Sequence, residues 1–130
     1  MEAQKMEKKV IDVDFLMKAG AYSHVVDAGG FLFITGMDPM DIEKGLIIMD
    51  DIDKATELIL ENMKRLLESV GSSMDKVVKV TIFMKDMADF QKLNAVYARY
   101  FPENPPARTC VAVKEVPGNF QLKIEAIAIK

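Results

Sequence analysis

The apolar residues Ile52, Ala55, Ile59, Met63, Leu66 and Val70 recur at steps of three and four, which lines them along one face of an α-helix. Asp50 or Asp51 is available as N-cap and Gly71 as the C-terminal stop, so the pattern predicts an amphipathic helix of about five turns. Phe90, Leu93, Tyr97 and Tyr100 form a second helical stripe, capped by Asp86 or Asp89 and ended by Pro102.

Elsewhere the period falls to two. Val13, Phe15 and Met17 alternate with polar neighbours until Gly20, which reads as an early strand followed by a loop. Residues 25–27 and 31–36 flank Gly29 and Gly30, a hairpin signature. Residues 38–45, with Pro39 among them, read as a loop. Residues 77–85 are β-rich, with Val78, Val80, Ile82 and Met84 expected on one face and Val77, Thr81 and Phe83 on the other. Residues 109–113 and 121–129 read as strands separated by the turn residues Pro117, Gly118 and Asn119. The order is strands, helix, strand, helix and two strands, an α+β arrangement. Two helices cover only one face of such a sheet, yet the strands around Phe31, Val77, Val111 and Ile127 are apolar on both faces. The second face therefore requires a partner, and self-association is the physical expectation.

At 130 residues, 50% hydrophobic and 28% charged, the chain reads as a single domain, 1–130, with a sizeable core. Seventeen basic residues are scattered among 20 acidic ones for a net charge of −3, with no basic stripe, so nucleic acid is a poor candidate partner. The single cysteine excludes an intramolecular disulfide, and the polar start of the chain has no apolar signal core. A cytoplasmic location is expected. No apolar run is long enough to cross a bilayer, so no membrane partner is expected. No His, Cys or carboxylate spacing matches a metal site, and neither a metal nor a cofactor is predicted.

Arg108 stands directly after Pro105, Pro106 and Ala107 and at the head of a strand. The prolines fix the approach of the backbone, and a planar, permanently charged fork at that point is suited to a carboxylate or phosphate. The plainer alternative is a solvated strand-end arginine.

Five segments taken in order resemble the RidA family, also called YjgF or L-PSP. They are Gly20, Ala21, Tyr22, Ser23; Phe33, Ile34, Thr35, Gly36; Asn94, Tyr97, Phe101; Pro106, Ala107, Arg108, Thr109, Cys110; and Ile124, Glu125, Ala126, Ile127, Ala128. The resemblance runs from about Gly20 to Ile129 and is most specific at residues 106–110 and 124–128. It implies a chorismate-mutase-like α+β fold, a mixed sheet of about six strands covered on one face by two helices, assembled as a homotrimer. It also implies hydrolysis of reactive 2-imino acids, 2-iminobutanoate and 2-iminopropanoate, to 2-keto acids and ammonia.

In the family the pockets lie between subunits, and the residue matching Arg108 grips the substrate carboxylate. A 2-imino acid is a small anion with an electrophilic carbon, so a two-point grip on its carboxylate fixes that carbon relative to an attacking water. Tyr22 matches the family's pocket tyrosine, Thr35 and the adjacent Gly36 stand where a serine and glycine are usual, and Asn94 matches a helix asparagine near the pocket. The backbone carbonyl at Cys110 holds water or substrate in the family. Plainer readings stay open: Tyr22 caps an apolar loop, Thr35 is a strand-end hydroxyl, Asn94 satisfies a local backbone group, and Cys110 is a small buried side chain rather than a nucleophile.

Lys123 is the main departure. The family archetype has there the glutamate credited with activating water, in a Glu, Ile, Glu strand that here reads Lys123, Ile124, Glu125. Residues two apart share a strand face, so Lys123 and Glu125 are expected about 7 Å apart, close enough for an ion pair. Lys123 would then bind substrate or attract a different anion rather than activate water. Met37 replaces a usual glutamine, and Asp38 an apolar residue. Asp38 and His24 are the remaining candidates for a base, although a loop histidine is expected to be exposed. Three readings follow: a deaminase of reduced or altered activity, a non-catalytic module binding a small carboxylate, and, ranked last, a ribonuclease or translation inhibitor. The last would require two titrating groups around a phosphate in a chain with one histidine.

Overall fold

The computed structural model describes residues 6–130. The elements in order are β1 (Lys8–Ile11), β2 (Val25–Ala28), β3 (Phe31–Met37), β4 (Met40–Asp41), β5 (Leu46–Ile47), α1 (Ile52–Ser69), β6 (Val77–Met84), α2 (Phe90–Tyr100), β7 (Ala107–Ala112) and β8 (Leu122–Ile129). Six strands form one sheet in the order β1-β2-β3-β8-β6-β7, while β4 and β5 pair as a separate small hairpin. Among the described residues only β6 and β7 run parallel, because α2 forms the crossover between them.

Helix α1 begins where Asp51 accepts a hydrogen bond from Lys54 N. Beyond its last turn, Gly71 adopts a φ of 82° and Ser72 N donates to Leu67 O, closing the helix as its glycine stop predicts. The stripe Ile52, Ala55, Ile59, Met63 and Leu66 is buried. It packs on Leu32, Ile34 and Met37 of β3, Val80, Ile82 and Met84 of β6, and Leu122, Ile124, Ala126 and Ala128 of β8. Truncating any one of the large side chains to alanine costs about 2–5 kcal/mol.

Three features differ from the sequence expectations. The first strand is Lys8–Ile11 rather than the stretch at Val13 to Met17. Val13, Phe15 and Leu16 instead pack as a loop against the core edge, so their alternation reports burial of a segment that makes no ladder. The register of β6 against β8 shifts between Val77 and Lys79. That bulge turns Val77 into the core and leaves Val78 40% exposed, the reverse of strict alternation. Within residues 38–45, read as loop, lies the start of the β4/β5 hairpin.

The sheet face away from the helices is left open. Phe31 pairs with Ile129 and Phe33 with Ile127 across β3 and β8, and Phe83 pairs with Val111 across β6 and β7. Phe31, Phe33 and Ile129 are each more than 40% exposed. No helix of the described residues is long and apolar enough to cross a membrane.

Candidate functional site

The register of β3 against β8 shifts between Ile34 and Met37. The resulting bulge holds Thr35 and Gly36, while Met37 stays in the core at 4% exposure. Beside this bulge lies an open cavity of about 520 Å³ whose lining includes Tyr22, Thr35, Gly36, Asp38, Lys123 and Glu125. The turn Pro117–Asn119 and Phe120 close one side of it.

Lys123 does not pair with Glu125. Its Nζ lies 3.1 Å from Asp38 Oδ1, an oxygen that is shielded from solvent and has no directed hydrogen bond. Glu125 is exposed on the open face, opposite Thr81. The reason is the β3 bulge, which brings the loop after Met37 over the Lys123 side chain, whereas Glu125 lies one pleat away along the strand.

Tyr22 is held from below. Its hydroxyl accepts a hydrogen bond from Ala19 N at 3.1 Å and donates to Met17 O at 3.4 Å. His24, expected at the surface, is only 2% exposed. Its Nδ1 accepts from Val13 N at 3.0 Å and its Nε2 faces Met17 O at 3.2 Å, which assigns the neutral tautomer with hydrogen on Nε2. Both ring nitrogens are thus spent on backbone groups, because the ring ties the loop 13–17 to the strand that follows it. Asp12, which the sequence reading missed, accepts from His24 N at 3.0 Å and from Lys18 Nζ at 2.7 Å. Those two hydrogen bonds, that of Lys18 foremost, hold the Asp12 carboxyl below its ordinary range.

Arg108 lies elsewhere. Its partner in the parallel register is the buried Val80, so its side chain points to the helix side of β7, whereas Lys123 and Glu125 lie on the open side of β8. Arg108 Nη1 donates to Asn94 Oδ1 at 2.8 Å, which gives Asn94 a side-chain partner rather than a local backbone one. The guanidinium sits 4.8 Å from the ring centre of Tyr97 and 5.6 Å from that of Phe90. Sequence reasoning treated both rings as helix stripe only; their i, i+4 and i, i+7 spacing about Asn94 is the signal that α2 builds a cradle. Burial pushes the Tyr97 hydroxyl up to about 12, with the Arg108 charge opposing.

Cys110 is half-buried beside this cradle, and burial raises its thiol, so it is a poor nucleophile. Val113 N donates to Met84 O, so by strand alternation the backbone groups of Val111 and Thr109 turn toward β6 and those of Cys110 and Arg108 toward the free edge. The Cys110 carbonyl is therefore presented outward at the edge of the sheet.

One chain thus carries two separate arrangements. Tyr22, Thr35, Gly36 and Lys123 share the cavity; Arg108, Asn94 and Cys110 share the β7 edge. No cluster of His, Cys, Asp and Glu among the described residues could hold a metal ion.

Residues 14–130 match the family model described as endoribonuclease L-PSP. The chain is 49% identical over 111 residues to a RutC family protein of Pyrococcus horikoshii, covering 85% of this chain and 88% of that one. It is 34% identical over 129 residues to the chloroplastic reactive intermediate deaminase A of Arabidopsis thaliana, covering 98% and 69% respectively. Among solved structures, TdcF of E. coli with bound serine superposes with a TM-score of 0.86 at 34% identity, covering 94% of this chain and 98% of that one.

Proposed function

The chain belongs to the endoribonuclease L-PSP family, which includes the reactive intermediate deaminases, and from that membership we propose that it hydrolyses small 2-imino acids, 2-iminobutanoate and 2-iminopropanoate, to 2-keto acids and ammonia. The pocket is completed between subunits of a homotrimer: the β7 edge of one chain, with Arg108 and the Cys110 carbonyl, faces the cavity of the next, with Tyr22, Thr35, Gly36 and Lys123. Assembly covers the open apolar face around Phe31, Phe33 and Ile129.

The observation that carries this reading is the state of Arg108. One nitrogen is engaged by Asn94, two aromatic rings flank the guanidinium, and no carboxylate of the described residues pairs with it. Its remaining N–H donors match the two oxygens of an incoming carboxylate. Serine bound to TdcF, itself a small carboxylate, supports the same ligand class. With the carboxylate gripped, water meets a carbon that is already electrophilic, and orientation supplies much of the acceleration.

A second reading, a module that binds small carboxylates without turnover, is favoured by Lys123, since a charged ammonium cannot accept a proton. The ribonuclease reading loses its only histidine, because both ring nitrogens of His24 are committed to backbone groups. The test is ammonia release from 2-iminobutanoate generated in solution, together with the melting-temperature shift given by 2-oxobutanoate. Turnover and a shift that both vanish in Arg108→Ala support the deaminase. A shift without turnover establishes the binding module, and a shift that survives Arg108→Ala removes Arg108 from the site.

A further inference from the structure

We propose that Asp38 is the carboxylate that positions the hydrolytic water, and that Lys123 is the residue that positions Asp38. The inference rests on the deaminase reading and adds to it the identity of the group that handles the proton.

Two carboxylates line the cavity, Asp38 and Glu125. Glu125 is exposed and makes no ion pair among the described residues. Asp38 is held. Its Oδ1 is shielded from solvent 3.1 Å from Lys123 Nζ, and the Lys123 side chain is only 25% exposed. With one oxygen held by the cation, the other is available to a water in the cavity. The backbone around Asp38 is equally constrained: Met40 N donates to Asp38 O at 2.8 Å, Ile48 N to Pro39 O at 2.9 Å, and Asn62 Nδ2 of α1 to Met40 O at 2.8 Å. Pro39 fixes the next φ. A loop tied at three points to a hairpin and a buried helix residue gives a carboxylate a defined direction, which a water-positioning group requires.

Stability alone does not account for the pair. An ion pair of this exposure adds little to stability, and the Lys123 side chain loses rotamer freedom to make it. Its placement beside Tyr22 and Thr35 has a chemical use instead.

The proton path balances. Water oxygen bonds to C2 of the protonated imine as the C=N pair moves to nitrogen. One water proton passes to Asp38 and from there to the new amine. The C–N bond then breaks, its electron pair leaving with ammonia, while the remaining hydroxyl oxygen closes the C=O bond and releases its proton through Asp38 to solvent. Imine and water become 2-keto acid and ammonia, and Asp38 returns to its starting state.

The test measures kcat and KM for 2-iminobutanoate across pH in Asp38→Asn, Lys123→Gln and Lys123→Arg, with the 2-oxobutanoate melting shift as the binding control. Asp38→Asn is expected to lower kcat about 10²-fold, with KM and the melting shift retained and the acidic limb of the kcat profile lost. Lys123→Gln lowers kcat less and keeps that limb, and Lys123→Arg restores most of the rate, which a merely structural lysine would not require. An Asp38→Asn rate within about twofold of wild type, with Arg108→Ala inactive, overturns the inference and leaves the deaminase standing. A wild-type protein that binds 2-oxobutanoate without turnover overturns both. Should Asp38→Asn fail to fold, Asp38→Ser and the lysine variants decide the matter by the same limb of the profile.

Discussion

The side chain of Lys123 lies across Gly36 so closely that a Cβ built on the glycine would stand 2.8 Å from Lys123 Cδ. Gly36 serves here as space rather than as a backbone hinge. In Gly36→Ala the lysine stem must move aside, which is expected to draw Nζ away from its 3.1 Å contact with Asp38. The loss of stability is expected to be modest, about 1 kcal/mol, because a flexible side chain yields. The deamination rate is expected to fall as in Lys123→Gln. Denaturant melts and turnover measured on the same preparation separate the two effects.

Exchanging the charge at position 123 sets two carboxylates against each other. Lys123→Glu is expected to lower the melting temperature, and adding Asp38→Ala is expected to recover it. The double variant replaces the Asp38 carboxylate with one supplied by the strand, two residues from Glu125, so its rate should exceed that of Asp38→Asn. A double-mutant cycle in stability and in kcat reads the coupling directly; additive effects would show that the two residues act independently.

Asn94→Ala removes the Arg108–Asn94 hydrogen bond and leaves the aromatic cradle in place. The 2-oxobutanoate affinity is expected to fall about 10-fold, in line with a hydrogen bond to a charged group of about 1.5–3 kcal/mol. Arg108→Lys keeps the charge but not the planar fork and should fall further. Isothermal titration measures both; equal affinities for Arg108→Lys and wild type would exclude a two-point grip.

Acid should loosen the segment that carries Tyr22. The Asp12 carboxyl is held below its ordinary 3.8, first by the hydrogen bond from Lys18. A depressed folded-state value means that this contribution is complete above the unfolded value and is lost as pH falls through the depressed one. Proteolysis within residues 12–22 is therefore expected to rise below about pH 4, and Asp12→Asn should show that sensitivity already at neutral pH. Cleavage mapped by mass spectrometry checks it.

Phe33→Glu places a charge at the centre of the open apolar face, beside Ile127. A trimer by light scattering is expected for the wild type and a smaller species for the variant. An unchanged mass would show that this face is not the one assembly covers.

The helices were legible because a stripe such as Ile52 to Leu66 depends only on local spacing, and Asp51 and Gly71 mark its ends. Arg108 stood out for the same local reason, after two prolines. The failures are all non-local. The contact of Lys123 with Asp38 depends on a bulge in β3 that no period reveals, whereas strand spacing alone points Lys123 to Glu125. The neighbours of His24 in sequence suggest a surface position, yet it is buried by a loop that begins at Val13. The exchange of Val77 and Val78 between faces likewise follows from a register shift that is settled only when β8 pairs with β6.

Because Arg108 and Lys123 sit on opposite sides of one sheet, a defect in either half of the proposed pocket is a defect in a different partner of the same contact. Chains carrying Arg108→Ala and chains carrying Asp38→Asn would each be impaired alone. Co-expressed, they would assemble mixed rings in which an intact arginine from one kind of chain meets an intact carboxylate from the other, regenerating a working pocket in every mixed ring. Two damaged alleles would then complement each other, a genetic behaviour that a site contained within one chain could not produce.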